Sequence, residues 1–126
     1  MDARTAVAWL AASRVAVGLG LLGAPERTAA GWLGRKVVTS PGGRMAVQGV
    51  AIRDLAAGAG VLAALAAEAD DEELARWIAA SMLADGVDAV SVLASSRRDT
   101  GARVSAGVAI AAATAGALCL AALRRR

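Results

Sequence analysis

The sequence has no histidine, no phenylalanine and no tyrosine, and its one cysteine is Cys119. Without histidine there is no imidazole base and no imidazole metal ligand. A single cysteine cannot form an internal disulfide or a Cys-x-x-Cys site, and we interpret Cys119 as a small filler of the last apolar run. The only aromatic residues are three tryptophans, whereas a soluble core of this size would normally bury several large rings.

Hydrophobic residues make up 57% of the 126-residue chain. They form four apolar segments, each close to the roughly 20 residues that cross a bilayer core: 5–23, 46–67, 73–95 and 102–123. The sequence therefore predicts an all-α, up-and-down bundle of four transmembrane helices in one domain, residues 1–126. An alanine-rich soluble four-helix bundle is the alternative, and the uncharged stretch between Arg103 and Arg124 argues against it.

The connections between the segments carry turn and capping signals. No basic stretch precedes the first apolar run and no cleavage site follows it, so we interpret this run as a retained span. Loop-forming residues mark the first connection: Pro25, Pro41, Gly42 and Gly43. Pro25 also suits the start of a short interfacial helix. In the acidic turn at 68–73, Asp70 or Asp71 is expected to cap the third helix.

Basic residues are more numerous in the first and third connections than on the opposite side. The first set is Arg27, Arg35, Lys36, Arg44, Arg97, Arg98 and Arg103. The second set is Arg4, Arg76, Arg124, Arg125 and Arg126. Because positively charged loops tend to stay in the cytoplasm, we expect the first side to be cytoplasmic. We expect an integral, multi-pass protein of the plasma membrane.

Five charged residues lie inside the apolar spans: Arg14, Arg53, Asp54, Asp85 and Asp88. In an up-and-down bundle all five lie roughly 10–15 Å below the same membrane face. A charge at mid-membrane costs roughly 2.5–3.5 kcal/mol, so such residues usually pair and often mark a functional site. Two arginines leave one of the three carboxylates over, and we expect this carboxylate to be protonated. A purely structural network that holds the helices in register is the alternative.

A neutral carboxylic acid and an ionised carboxylate joined by an arginine form an acid–base pair. The acid protonates an opening oxygen and the base takes a proton from water or a hydroxyl, with no metal or cofactor. We expect Asp85 or Asp88 to be the base, its partner or Asp54 the acid, and Arg53 the organiser. The expected substrate-binding residues are Arg14, Gln48, Ser81 and Trp77.

The run 49–58, which reads G-x-x-I-R-D-L-x-x-G, is followed on the next helix by Asp85 and Asp88. These features resemble a family of small four-helix membrane proteins of largely unknown function that includes membrane epoxide hydrolases of polyketide pathways. The resemblance covers nearly the whole chain and implies that Arg53, Asp54 and the two later aspartates form the site. An Asp-Arg-Asp arrangement is also similar to the soluble limonene-epoxide hydrolases, whose fold differs, so that likeness is chemical only.

The sequence thus favours a membrane-embedded enzyme that opens an epoxide, by hydrolysis or cyclisation, on a lipophilic natural product. The alternative is a non-catalytic membrane protein, either a transport or binding protein or a structural subunit with a buried Arg/Asp network. The expected partners are a lipophilic small molecule and the lipid bilayer, with no nucleic acid. Small-residue stripes leave self-association into a homo-oligomer open: Ala102 with Ala106, and Ala109 with Ala113.

Overall fold

The computed structural model describes residues 2–94 and 100–125, apart from the side chain of Trp32. The described residues form six helices and no strand. In chain order the helices are α1 (Ala3–Gly23), α2 (Pro25–Leu33), α3 (Arg35–Thr39), α4 (Pro41–Ala66), α5 (Asp71–Ala94) and α6 (Thr100–Leu123). The predicted end of the third span at residue 95, together with Arg97, Arg98 and Arg126, lies outside the described residues.

The four long helices α1, α4, α5 and α6 are each long and apolar enough to cross a membrane. Their lengths of 21 to 26 residues correspond to roughly 30–40 Å along the helix axis, which matches or exceeds the hydrocarbon core. The chain is therefore an all-α membrane bundle, and the predicted fold class is confirmed.

The start of α5 is fixed by the acidic turn. Asp70 Oδ1 accepts a hydrogen bond from the Glu73 N–H at 2.8 Å, so Asp70 is the capping residue of the two candidates. Asp71, Glu72 and Glu73 occupy the first turn, where negative side chains interact favourably with the positive end of the helix dipole.

The first connection is more helical than the sequence predicted, because α4 already begins at Pro41. A proline is tolerated in the first turn, where no intrahelical partner exists for an N–H. Ser40 Oγ accepts from the Gly43 N–H at 3.1 Å and caps the helix. A Cβ at Gly43 would overlap the carbonyl oxygen of Val37 in α3. The interpretation of Pro41, Gly42 and Gly43 as loop residues was wrong; they form a helix start.

The long helices pack as two close pairs, α1 with α4 and α5 with α6, and the pairs contact each other less extensively. One apolar cluster, the acidic-end core, fills the half near the acidic turn: Val7, Ala11, Val61, Ala64, Leu74, Ile78, Cys119 and Leu123. A second cluster, the basic-end core, joins α2 and α3 to the bundle: Leu21, Ala29, Val38, Val47 and Ala51. The buried charges lie between these two clusters.

Candidate functional site

Arg14 joins α1 to two other helices. Its Nη1 donates to Asp54 Oδ1 on α4 at 3.0 Å, and its Nη2 donates to Asp85 Oδ2 on α5. Nη1 also lies 3.4 Å from Asp85 Oδ1, so the guanidinium contacts both oxygens of that carboxylate. All three side chains are buried. Charge-assisted, two-pronged contacts of this kind fix orientation as well as distance, and here they align α1, α4 and α5.

Arg53 contacts the same two carboxylates and a third one. Its Nη2 lies 3.6 Å from Asp54 Oδ1 and 3.8 Å from Asp85 Oδ1. Its Nη1 donates to Asp88 Oδ2 at 2.6 Å. Two guanidinium groups and three carboxylates therefore meet in one layer, as their shared depth in the sequence predicted.

Arg14, Asp54, Arg53 and Asp85 form a closed ring of ion pairs, which we call the ion-pair square. Each arginine contacts each aspartate, so two positive charges balance two negative charges. Asp88 lies outside the square and has one described ion pair, to Arg53. Its side chain is 41% exposed, compared with 5% for Asp85. The site thus consists of a charge-balanced unit, of which Arg14, Asp54 and Asp85 are buried and Arg53 is half-buried, and of one additional, accessible carboxylate.

The buried residues of α1 and α4 share one spacing, alternately four and three residues, which the sequence reading missed. On α1 they are Val7, Ala11, Arg14, Gly18 and Leu21, and on α4 they are Val47, Ala51, Asp54, Gly58 and Val61. A Cβ at Gly58 would lie 2.6 Å from the carbonyl oxygen of Ala11, and one at Gly18 would lie 2.8 Å from that of Ala51. The two glycines thus allow the close helix approach that brings Arg14 onto Asp54.

A cavity of about 440 Å³ lies between the charged layer and the short helices α2 and α3. Its charged floor consists of Arg14, Arg53, Asp54, Asp85 and Asp88. Its apolar wall includes Val17, Leu21, Val47, Val50, Val108, Ala109 and Ala112, with Leu33 and Val37 contributed by α2 and α3. Both the volume and the mostly apolar lining are typical of small-molecule sites.

The cavity ends at the charged layer. Beyond the layer the acidic-end core is tightly packed, with Val7, Leu74 and Ile78 each at most 2% exposed. A void of about 10 Å³ on that side, beside Arg14 and Ser81, has room for about one water molecule. The described part of the chain therefore forms a pocket closed at one end, not a continuous pore.

The predicted substrate-binding residues separate in the structure. Arg14 lines the cavity, whereas Gln48 is exposed on α4 and lies outside the lining. Ser81 lines the small void, and its hydroxyl donates to the Trp77 carbonyl oxygen at 3.1 Å. The Trp77 ring packs against Gly60, where α5 meets α4. The structure thus brings one of the four to the cavity.

The sequence reading also missed the uncharged wall contributed by α6. This wall consists of Ser105, Val108, Ala109 and Ala112. Their spacing of three or four residues places them on one helix face, but nothing in their chemistry separates them from lipid-facing positions. Ala106, in one of the small-residue stripes, is buried within the bundle. At these positions the stripes of α6 therefore serve internal packing and the cavity.

The fold and the site define a four-helix membrane protein with a blind intramembrane pocket above an Arg–Asp network. No family model, curated protein or solved structure matches the chain. The resemblance of the run 49–58 to small four-helix membrane proteins therefore stays a prediction. Within the described ranges, no group of three or more Cys, Asp or Glu side chains is arranged to hold a metal ion.

Proposed function

We propose that the protein is a membrane-embedded acid–base enzyme that opens an epoxide on a lipophilic natural product without a cofactor. The observation that carries this proposal is Asp88, an accessible carboxylate on the floor of an apolar cavity, held by Arg53 at 2.6 Å. The apolar wall suits a hydrocarbon skeleton, and the polar groups are concentrated at one end, where they can orient the reacting ring.

Asp88 is the proposed base, because it is the most exposed of the three carboxylates in the charged layer, and water or a substrate hydroxyl can therefore reach it. In hydrolysis it takes a proton from water while the water oxygen forms a bond to a ring carbon. The carbon–oxygen bond of the epoxide breaks, and the ring oxygen takes a proton from Asp54, which in this mechanism holds the one proton that offsets the excess negative charge of the layer. In cyclisation a hydroxyl of the substrate replaces water. Return of one proton from Asp88 to the donor carboxylate resets the site.

Arg53 is the proposed organiser of this step. Its Nη1 orients Asp88, and its Nη2 lies within 4 Å of both aspartates of the ion-pair square. The Arg53 side chain lines the cavity, so its positive charge can stabilise negative charge as it develops on the ring oxygen. A guanidinium keeps its proton in proteins, so Arg53 stabilises charge and leaves proton donation to a carboxylic acid.

A non-catalytic structural subunit is the second candidate function. The observation that favours it is the ion-pair square, which joins three helices and balances its own charges. A structural role needs only the four residues of the ion-pair square. It therefore does not explain why Asp88 is accessible or why a cavity lies next to it. Transport is favoured less, because the acidic-end core closes the pocket at one end.

The proposed location is the plasma membrane, with the cavity end of the bundle on the cytoplasmic side. Arg27, Arg35 and Lys36 are exposed on α2 and α3 at that end, which agrees with the positive-inside rule. A substrate released into the inner leaflet would then reach the cavity from the bilayer or from the cytoplasm.

The test is turnover of lipophilic epoxides, both alkyl and cyclic terpenoid, by the purified protein in lipid nanodiscs. In ¹⁸O-labelled water, hydrolysis incorporates the label and cyclisation does not. We expect Asp88→Asn to lower the rate by about 10²–10⁴-fold with an unchanged melting curve. Glu72→Gln removes an exposed carboxylate that pairs with Arg76 away from the cavity, and it should match the wild type. Normal turnover by Asp88→Asn, or none by the wild type, would overturn the proposal.

A further inference from the structure

The charges that face the cavity floor do not sum to zero. Arg14 comes from α1, Arg53 and Asp54 from α4, and Asp85 and Asp88 from α5. The fourth long helix, α6, has no charged residue after Arg103 until the chain reaches Arg124, so it adds nothing at this depth. With all groups ionised, two arginines and three aspartates leave one negative charge in a low-dielectric layer, where charge interactions are strong.

The excess charge lies next to space that a ligand can fill. The ion-pair square is balanced within itself, so the excess is carried by Asp88, whose side chain is 41% exposed. The cavity of about 440 Å³ adjoins it, with walls of valine, leucine and alanine. A ligand that matches both features has a compact positive charge at one end and a hydrocarbon body.

We propose that this cavity binds lipophilic organic monocations, such as protonated amines, with the positive charge against Asp88 and the hydrocarbon body against the apolar wall. When the cavity is empty, a proton on one of the three aspartates neutralises the charged layer. When the cation is bound, its positive charge replaces that proton. Binding requires no epoxide chemistry, so this inference goes beyond the proposed enzymatic function and stands independently of it. A bound amine would occupy the cavity and contact the carboxylate that the proposed reaction uses as its base, so such amines should also inhibit epoxide opening.

The test compares two probes of nearly the same shape, adamantan-1-amine and adamantan-1-ol. At neutral pH the amine is protonated and the alcohol is uncharged. Both are titrated into the full-length protein in a zwitterionic detergent by isothermal calorimetry, with protein-free micelles as the blank. We expect the amine to bind at least about tenfold more tightly than the alcohol, which corresponds to one partly desolvated ion pair.

Two variants assign the preference to the site. Asp88→Asn should bind both probes with similar affinity, because the excess negative charge is gone while the apolar wall remains. Glu72→Gln also removes one carboxylate, but on an exposed ion pair away from the cavity, and it should keep the preference of the wild type. Circular dichroism of each variant checks that the helices are retained.

Equal affinity of the two probes for the wild type would overturn the inference, whatever the variants do. A preference for the amine that persists in Asp88→Asn would also overturn it, because the charge would then be recognised elsewhere. The outcome is distinct from that of the proposed function. Epoxide turnover without amine preference removes only this inference, and amine preference without turnover removes only the enzyme.

Discussion

Asp85 and Asp88 lie one helical turn apart on α5, yet Asp85 contacts two guanidinium groups and Asp88 contacts one. Three residues correspond to a rotation that leaves the two side chains about 60° apart around the helix. This angle turns Asp85 into the buried ion-pair square and leaves Asp88 at its edge, on the cavity floor. The two carboxylates therefore differ in position, and the roles that we propose for them differ accordingly: Asp85 holds the helices together and Asp88 takes part in the chemistry.

The first prediction is that substitution by asparagine separates these roles. Asp85→Asn leaves Arg14 and Arg53 with one carboxylate too few inside the square, and breaking a buried ion pair typically costs about 3–5 kcal/mol. Asp88→Asn removes a more exposed partner and should cost less than about 1 kcal/mol. Unfolding of both variants in mixed detergent micelles, followed by circular dichroism, gives the comparison. Equal destabilisation by the two substitutions would contradict the division into framework and accessible carboxylate.

The second prediction concerns the membrane. Each of the four long helices has a window apolar enough to span the bilayer, and large side chains such as Leu83 and Val90 are exposed on the outside of the bundle. In water these surfaces would associate. The protein should therefore fractionate with membranes, resist extraction by high salt and alkaline carbonate, and dissolve in detergent. Recovery of a monodisperse protein from the cytosol without detergent would contradict the membrane assignment.

The third prediction is that Arg53→Lys loses activity and keeps the fold. One guanidinium contacts Asp54 and Asp85 through Nη2 and Asp88 through Nη1, and an ammonium cannot reproduce that forked geometry. The positive charge remains, so the carboxylates are not stranded. We expect epoxide turnover to fall by at least about 10²-fold while the melting curve changes little. Arg53→Ala is the contrasting variant, because it removes the charge and should unfold more easily than Arg53→Lys.

Much of the fold could be predicted from the sequence because its main determinant is local. Long apolar runs have few structural solutions in a membrane, so the four spans were found within a few residues. The predicted boundaries were wrong where the same residue types are common both in loops and at helix starts. Pro41 and Gly43 are common in loops, but behind a capping Ser40 they begin a helix. Ser40 followed by Pro41 is itself a helix-start signal, so the start of α4 could have been predicted by giving that pair more weight than the two glycines after it.

The charged layer could be predicted because depth in a membrane is a matter of counting residues. Which arginine pairs with which aspartate could not be predicted, because the pairing depends on how each helix is rotated about its own axis. Arg14 was expected to bind substrate, yet Gly18 and Gly58 bring α1 so close to α4 that Arg14 becomes the buried link between Asp54 and Asp85. The shared spacing of buried positions on α1 and α4 is visible in the sequence, but which of these residues meet becomes clear only when the two helices are known to pack on each other.

The fourth prediction tests that close approach. Gly58→Ala places a Cβ 2.6 Å from a backbone carbonyl oxygen of α1, and neither backbone can move without disturbing the contact between Arg14 and Asp54. We expect a loss of about 1–3 kcal/mol in stability. Gly49→Ala on the same helix is the matched control, because no atom lies within 4 Å of its Cβ position. It should be neutral or slightly stabilising, since alanine is the better helix former. A similar melting temperature for both variants would argue against tight packing of α1 on α4.

The fifth prediction concerns the cavity itself and uses two neighbouring alanines of α6. Ala112 lines the cavity, whereas Ala111 is exposed and lies outside the lining. Ala112→Trp should fill part of the apolar space above the charged layer, and Ala111→Trp should project into lipid and leave that space open. We expect Ala112→Trp to weaken binding of both adamantane probes and of epoxide substrates by at least about tenfold. Ala111→Trp should behave as the wild type, and the ion-pair square should keep both variants folded. If the two tryptophan variants bind the probes equally well, the ligand does not occupy this cavity, and the assignment of Asp88 as the reacting group loses its basis.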